Sequence, residues 1–277
     1  MNIARTMAEL RSTRASMDAP LGLVPTMGAL HEGHLSLVRR ARQECASVVV
    51  SVFVNPTQFG VQEDLSAYPR DLGRDASLAE QAGADLVWAP GVEDMYPPAF
   101  QTWVEVESLT QPLEGRYRPG HFRGVATVVA KLFNAIQPQR AYFGQKDAQQ
   151  VAVIRRMTRD LDFPIEVVTC ATVREADGLA LSSRNVYLHP EERRAAPVLF
   201  QALSAAAKAF EAGEREADVL RSVMQQTLDR EPLVRPQYVS VADPESLNEL
   251  GGPVTRALMS LAVHVGTTRL IDNLVVG

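Results

Sequence analysis

The chain has 277 residues, 46% of them hydrophobic, and a formal net charge of −5 at pH 7. That length supports a sizeable core, in one large domain or in a main domain with a smaller one, and the negative balance offers no global basic field to a nucleic-acid backbone. No window approaches the roughly 18 uninterrupted apolar residues of a membrane span, and no long apolar run follows the basic start, so a cytoplasmic enzyme with no membrane partner is expected. Two cysteines, Cys45 and Cys170, lack CxxC spacing. They argue against a disulfide framework or a cysteine-based zinc site and read as small core residues.

In chain order, residues 21–25 (LGLVP) read as a first buried strand and HLSLVRRARQEC, from His34, as a helix. Residues 47–55 (SVVVSVFVN) read as a second strand buried on both faces, which completes one βαβ unit. The segment DASLAEQAGADLVWAP predicts a helix running into a strand at residues 85–89. VATVVAKLFNAI predicts a helix leading to the strand AYFG, and DAQQVAVIRRMTRDL a helix leading to PIEVVTC, whose Pro164 stands where a missing N–H is tolerated. This alternation predicts about five parallel strands in a Rossmann-like α/β sheet. After about residue 185 the texture becomes helical, alanine-rich and charged, and then gives three strand-length runs, PQYVSVAD, ALMSLAVHV and TRLIDNLVV. A smaller α+β domain with an antiparallel sheet is expected there, which places domains at residues 1–184 and 185–277.

The stretch PTMGALHEGHLSL stands at the junction of the first strand and first helix. In open α/β sheets ligands bind beyond the carboxyl ends of the strands, where a helix N-terminus presents N–H groups and a positive dipole end to anions. Gly33 would let a ligand approach the backbone. His31 and His34, three apart, lie on one side of the helix start and can both donate to phosphate oxygens. Ordinary capping or surface histidines, or a metal-binding pair, are the alternatives that spacing leaves open.

HEGH after PTMGAL resembles the HxGH signature of the nucleotidyltransferase superfamily. More narrowly, PTMGALHEGHLSLVRRA, SVFVNPTQFG, YPRDLGRD, EGRYRPGHFRGVATVVAKLFN, AYFGQKDAQQ and READGLALSSRNVYL, in this order, resemble the pantothenate synthetase (pantoate–β-alanine ligase) family over nearly the whole chain. The resemblance implies that pantoate and MgATP give pantoyl adenylate and pyrophosphate, after which β-alanine attacks to give pantothenate and AMP. A nucleotidyltransferase that stops at a nucleotidyl product is the alternative. A homodimer through the large domain is implied, with SVFVNPTQF contributing to the interface, and the second domain would act as a lid.

The resemblance also implies roles for residues. His31, His34 and Lys146 would be catalytic. Met27, Gly33, Gly144, Gln145, Lys146, Asp147, Val173, Leu181, Ser182, Ser183 and Arg184 would bind ATP, with the hydroxyls and guanidinium of the last three closing on the triphosphate. Pro25, Thr26, Met27, Gln58 and Gln150 would bind pantoate, the neutral amides pairing with its oxygens. Gln149 reads instead as a surface glutamine. Asp75 would stand near magnesium, and Asp71 reads as a helix cap. Gln145 occupies a place where glutamate is frequent in the family, and Leu181 one where methionine is.

Overall fold

The computed structural model describes residues 1–60 and 65–277. They form two compact units, residues 1–144 with 150–171, and residues 145–149 with 172–277. The strands of the first unit are β1 (Asn2–Ala4), β2 (Leu21–Thr26), β3 (Ser47–Val52), β4 (Leu86–Trp88), β5 (Arg140–Gly144) and β6 (Glu166–Cys170). The helices up to this point are α1 (Met7–Arg14), α2 (Glu32–Glu44), α3 (Leu72–Gln81), the single turns α4 (Val92–Met95) and α5 (Glu114–Tyr117), α6 (His121–Ile136) and α7 (Ala148–Asp160).

The six strands pair in parallel in the order β1-β4-β3-β2-β5-β6. Alternate side chains enter different layers. Leu21, Leu23, Val49, Leu86 and Trp88 join Phe133 of α6 and Ile154 of α7 in one core, while Val24, Val48, Val50 and Val87 join Leu37, Val38 and Ala41 of α2 in the other. Both faces are covered, which is why these strands read as apolar runs without alternation. The strand order reverses between β2 and β5. β2 pairs with β3 at six positions but with β5 only at Gly22 and Leu23, so β2 and β5 part toward their carboxyl ends. Such a switch point is where open α/β sheets bind ligands.

The sheet has six strands where about five were expected; β1, three residues at the sheet edge with only Ala4 buried, lacks the buried apolar run that marks the equally short β4. The second strand ends at Val52 and not at Asn55. Phe53 N–H still reaches Thr26 O at 3.1 Å, but Asn55 then caps a 3-10 turn, Pro56–Gln58, whose proline has no N–H to give a ladder. In SVFVNPTQF, Ser51, Phe53, Asn55 and Gln58 are buried within the chain itself, while Val52, Val54 and Phe59 are half-buried. Asp71 caps α3 by accepting Arg74 N–H at 2.9 Å.

The second unit contains α8 (Pro190–Ala195), α9 (Val198–Glu211) and α10 (Ala217–Leu228), with an antiparallel sheet of β7 (Val234–Ala242), β8 (Ala257–Val265) and β9 (Thr268–Val276). Leu199, Leu203, Leu220 and Met224 of the helices pack with Met259, Leu261, Val263 and Leu270 of the sheet. This unit takes in residues 145–149, and its main segment runs from Thr172, where a start at Asn185 was expected. The physical reason is Arg174, which makes two bonds to Asp272, at 2.6 and 2.9 Å, and stacks its guanidinium 3.9 Å from the Phe200 ring centroid. Both cysteines are free, and Cys45 Sγ lies 3.3 Å from the Tyr142 hydroxyl. Among the described residues no helix is long and apolar enough to cross a membrane.

Candidate active site

β2 ends at Thr26, and the chain turns through Gly28 and Ala29, with φ of 84° and 50°, before α2 begins. Each backbone amide of residues 28–31 is bonded to a side chain. Gly28 N–H donates to Thr26 Oγ1 at 3.1 Å, Ala29 and Leu30 N–H donate to the two oxygens of Asp75 at 2.9 and 2.7 Å, and His31 N–H donates to His34 Nδ1 at 3.4 Å. Gly33 N–H donates in turn to His31 Nδ1 at 3.2 Å. His31 is thus the N-cap of α2 and His34 its third residue, and the two imidazoles form a reciprocal capping box. Their ring centroids lie 4.1 Å apart. Because each Nδ1 accepts a hydrogen bond, each neutral ring carries its proton on Nε2, at the far side from the cap.

Capping and phosphate binding had stood as alternatives for these histidines. The geometry makes the cap the means by which the rings are oriented. The amides of residues 28–31 and of Gly33 are engaged by side chains. The turn itself requires Gly28. A Cβ on Gly28 would meet Asp75 Oδ2 at 2.8 Å, and its φ is one that side chains disfavour.

Asp75, expected near magnesium, is 1% exposed, and both its oxygens face the 28–30 turn. It anchors the loop. The bland pattern YPRDLGRD gave no hint of this, because the partner amides are more than forty positions away.

The first unit also brings Gln58 and Met27 together, with Gln58 Nε2 3.2 Å from Met27 Sδ. Gln58 is 9% exposed and positioned by two residues that the sequence reading missed. Asn55 Nδ2 donates to Gln58 Oε1 at 2.9 Å and to Gly124 O at 3.2 Å. His121 Nδ1 lies 2.8 Å from Gln58 O, a pure acceptor, so the proton is on Nδ1. Tyr96 O–H donates to Asn55 Oδ1 at 2.9 Å, and burial pushes its phenol up against the opposing hydrogen bonds of Thr57 and Asn55, which keeps it a donor. Asn before proline is a turn-initiating dipeptide and could have flagged Asn55. Helix α6 approaches this turn so closely that a Cβ on Gly124 would sit 2.5 Å from Thr57 O and 2.8 Å from Gln58 N. Pro25 is half-buried, Thr26 is buried and bonded to Ser51 O at 2.8 Å, and Gly144 ends β5. Gln150 is half-buried in the first turn of α7.

In the second unit, Gln145, Lys146 and Asp147 form a 3-10 turn, Gln145–Asp147. Gln149, expected at the surface, is 5% exposed. Val173 and Leu181 face each other across a narrow hairpin, Leu181 N–H donating to Val173 O at 3.0 Å, and an Arg174–Ala180 bridge continues it. Arg174 also donates to Gly178 O at 3.1 Å, closing the hairpin end. Ser182 follows directly and caps the next turn, Ser183–Tyr187, by accepting Arg184 N–H at 3.2 Å. The small hydroxyls and the guanidinium expected around a triphosphate therefore stand together on one capped turn.

Comparison with known proteins bears on these loops. The family described as pantoate-beta-alanine ligase matches residues 2–275. The pantothenate synthetase of Roseiflexus castenholzii is 62% identical over 273 residues, covering 99% of this chain and 98% of that protein. The crystal structure of pantothenate synthetase from Thermus thermophilus superposes with a TM-score of 0.95 at 54% identity, over 99% of both chains. That of the pantoate-beta-alanine ligase from Francisella tularensis, complexed with beta-gamma ATP and beta-alanine, does so with a TM-score of 0.82 at 34% identity, over 99% of this chain and 97% of the other.

Proposed function

The chain belongs to the pantoate–β-alanine ligase family, and from that premise we propose how its residues divide the work of an ATP-dependent condensation of pantoate with β-alanine. A pantoate carboxylate oxygen attacks the α-phosphorus of ATP, and the bond to the bridging oxygen breaks as pyrophosphate leaves with the electron pair. The neutral amine of β-alanine then attacks the acyl carbon. AMP departs with the C–O bonding pair, and the amine's surplus proton is lost.

The observation that carries this reading is the paired imidazole cap of α2, placed at the carboxyl end of β2 where the strand order reverses. With Nδ1 engaged, His31 and His34 present Nε2–H donors to phosphate oxygens, and such donors stabilise charge that develops in the transition state. Lys146 supplies a compact ammonium for the α-phosphate or the leaving pyrophosphate. Ser182, Ser183 and Arg184 hold the triphosphate, with Gly33, Gly144, Gln145, Asp147, Val173 and Leu181 completing the nucleotide contacts. Gln58 and Gln150, with Pro25, Thr26 and Met27, hold pantoate, and the Asn55 and His121 bonds to Gln58 support its orientation.

Magnesium belongs to the substrate in this reading, carried on the triphosphate as a hard cation that keeps most of its waters. The Asp75 carboxylate fits a loop anchor, each of its oxygens accepting an amide of the 28–30 turn. A cytoplasmic homodimer is part of the same proposal, and sedimentation equilibrium showing only monomer at micromolar concentration removes the dimer.

The test follows pyrophosphate and AMP separately with ATP, magnesium and pantoate. A stoichiometric burst of pyrophosphate without β-alanine, turning catalytic with AMP release once it is added, is the expected result. Steady pantoate-dependent turnover without β-alanine would favour an enzyme that stops at the nucleotidyl product.

A further inference from the structure

The root of Lys146 is held by a residue from the far end of the chain. Asn273 of β9 is 4% exposed and uses its side-chain amide fully on the Gln145–Asp147 turn. Its Nδ2 donates to Gln145 O at 3.0 Å and to Lys146 O at 2.9 Å, while its Oδ1 accepts from Gln145 Nε2 at 3.0 Å. The orientation of the amide is decided by chemistry, because two carbonyl oxygens can only accept and must face the NH2 end. Asn273 is itself fixed from behind. Its own N–H donates to Asp272 Oδ1 at 2.8 Å, and Asp272 holds Arg174 at the base of the hairpin that leads to Ser182. Successive strand residues point to opposite faces. Asp272 accordingly lies on the side of α9, where Arg174 stacks on Phe200, and Asn273 on the side of the lysine turn.

We propose that Asn273 is a positioning residue for Lys146, and that Asp272 and Asn273 together set the lysine turn and the 182–184 turn in one frame. The proposal rests on the role given to Lys146 above. Lysine has a long flexible stem, so the place its ammonium can occupy depends on where its backbone is pinned, and an ångström of displacement at a reacting centre can cost about a hundredfold in rate. Gln145 adds a demand of its own. Asn273 Oδ1 needs a donor opposite it, which the Gln145 amide supplies and a carboxylate at that position could not.

The experiment is a double-mutant cycle on the full-length protein, reading pantoate-dependent pyrophosphate release with melting temperature as the fold control. Asn273→Ala is expected to lower kcat about tenfold while the KM for pantoate stays within about twofold, and to cause no further loss on a Lys146→Ala background. Asn273→Leu keeps the branched shape without the hydrogen bonds and carries the test if the alanine variant does not fold. An unchanged kcat in folded Asn273→Ala, beside an inactive Lys146→Ala, overturns the inference alone. So does the same fractional loss from Asn273→Ala in both backgrounds, which would mean that Asn273 acts without Lys146. A fully active Lys146→Ala overturns instead the role of the lysine on which the inference rests.

Discussion

Two loops of this chain aim polar side chains by opposite means. The 26–34 turn supplies its own cap: Thr26 accepts Gly28 N–H, His34 accepts His31 N–H and His31 accepts Gly33 N–H, all inside nine residues. Asp75, Ser51 and Gln58 bond to it from farther along the chain. The Gln145–Asp147 turn is bonded at three points by the distant Asn273, and the hairpin before Ser182 is tied to Asp272 through Arg174. A loop that makes its own cap keeps its shape wherever its helix goes, whereas a loop pinned to a distant strand is as well placed as that strand's own packing. Substitutions in the first loop should therefore strike chemistry and local helix stability together, and substitutions at β9 should strike rate through another residue.

The largest effect that sharpens this contrast is expected from His34→Ala. It removes a phosphate-directed donor and half of the capping box, so pantoate-dependent pyrophosphate release should fall about a hundredfold or more, with about 1 kcal/mol of stability lost from the cap. Wild-type pyrophosphate release by a folded His34→Ala protein would break the assignment of that ring. Next comes Asp75→Ala. Two amides of the 28–30 turn lose their acceptors, and each unsatisfied buried group costs about 1–3 kcal/mol, so the melting temperature should drop clearly and turnover should fall about tenfold. If titrating magnesium restored the activity of Asp75→Ala, the metal role would return and the anchor role would go. The smallest effect belongs to Asp71→Ala, on the same helix four residues earlier. It loses one cap bond, worth about 1 kcal/mol, with kcat unchanged. Comparable losses of rate in Asp71→Ala and Asp75→Ala would show that α3 as a whole matters, and not the carboxylate aimed at the loop.

Much of the first unit was legible because its signals are local. Buried parallel strands announce themselves as Val- and Leu-rich runs, as in residues 47–52, and the helices between them by their period. The histidine pair was legible for the same reason, since a cap and its third residue lie within one turn. β1 has only one buried residue to announce it, and the end of the second strand was misplaced by three residues because the apolar run continues through Phe53 and Val54. Gln149 reads as a surface residue by type, and only packing buries it.

By itself, the order of residues determined the alternation of strands and helices, the antiparallel character of the tail, and the pairing of His31 with His34 at a helix start, all properties carried within a few consecutive positions. The tertiary structure decided that Asp75 anchors a loop, that Asn55 and His121 hold Gln58, that the second unit's main segment runs from Thr172, and that Asn273 reaches the lysine turn. Each of these is a hydrogen bond or stacking contact between residues far apart in sequence, and a carboxylate or an amide carries no mark of its partner until the fold brings the two within about 3 Å.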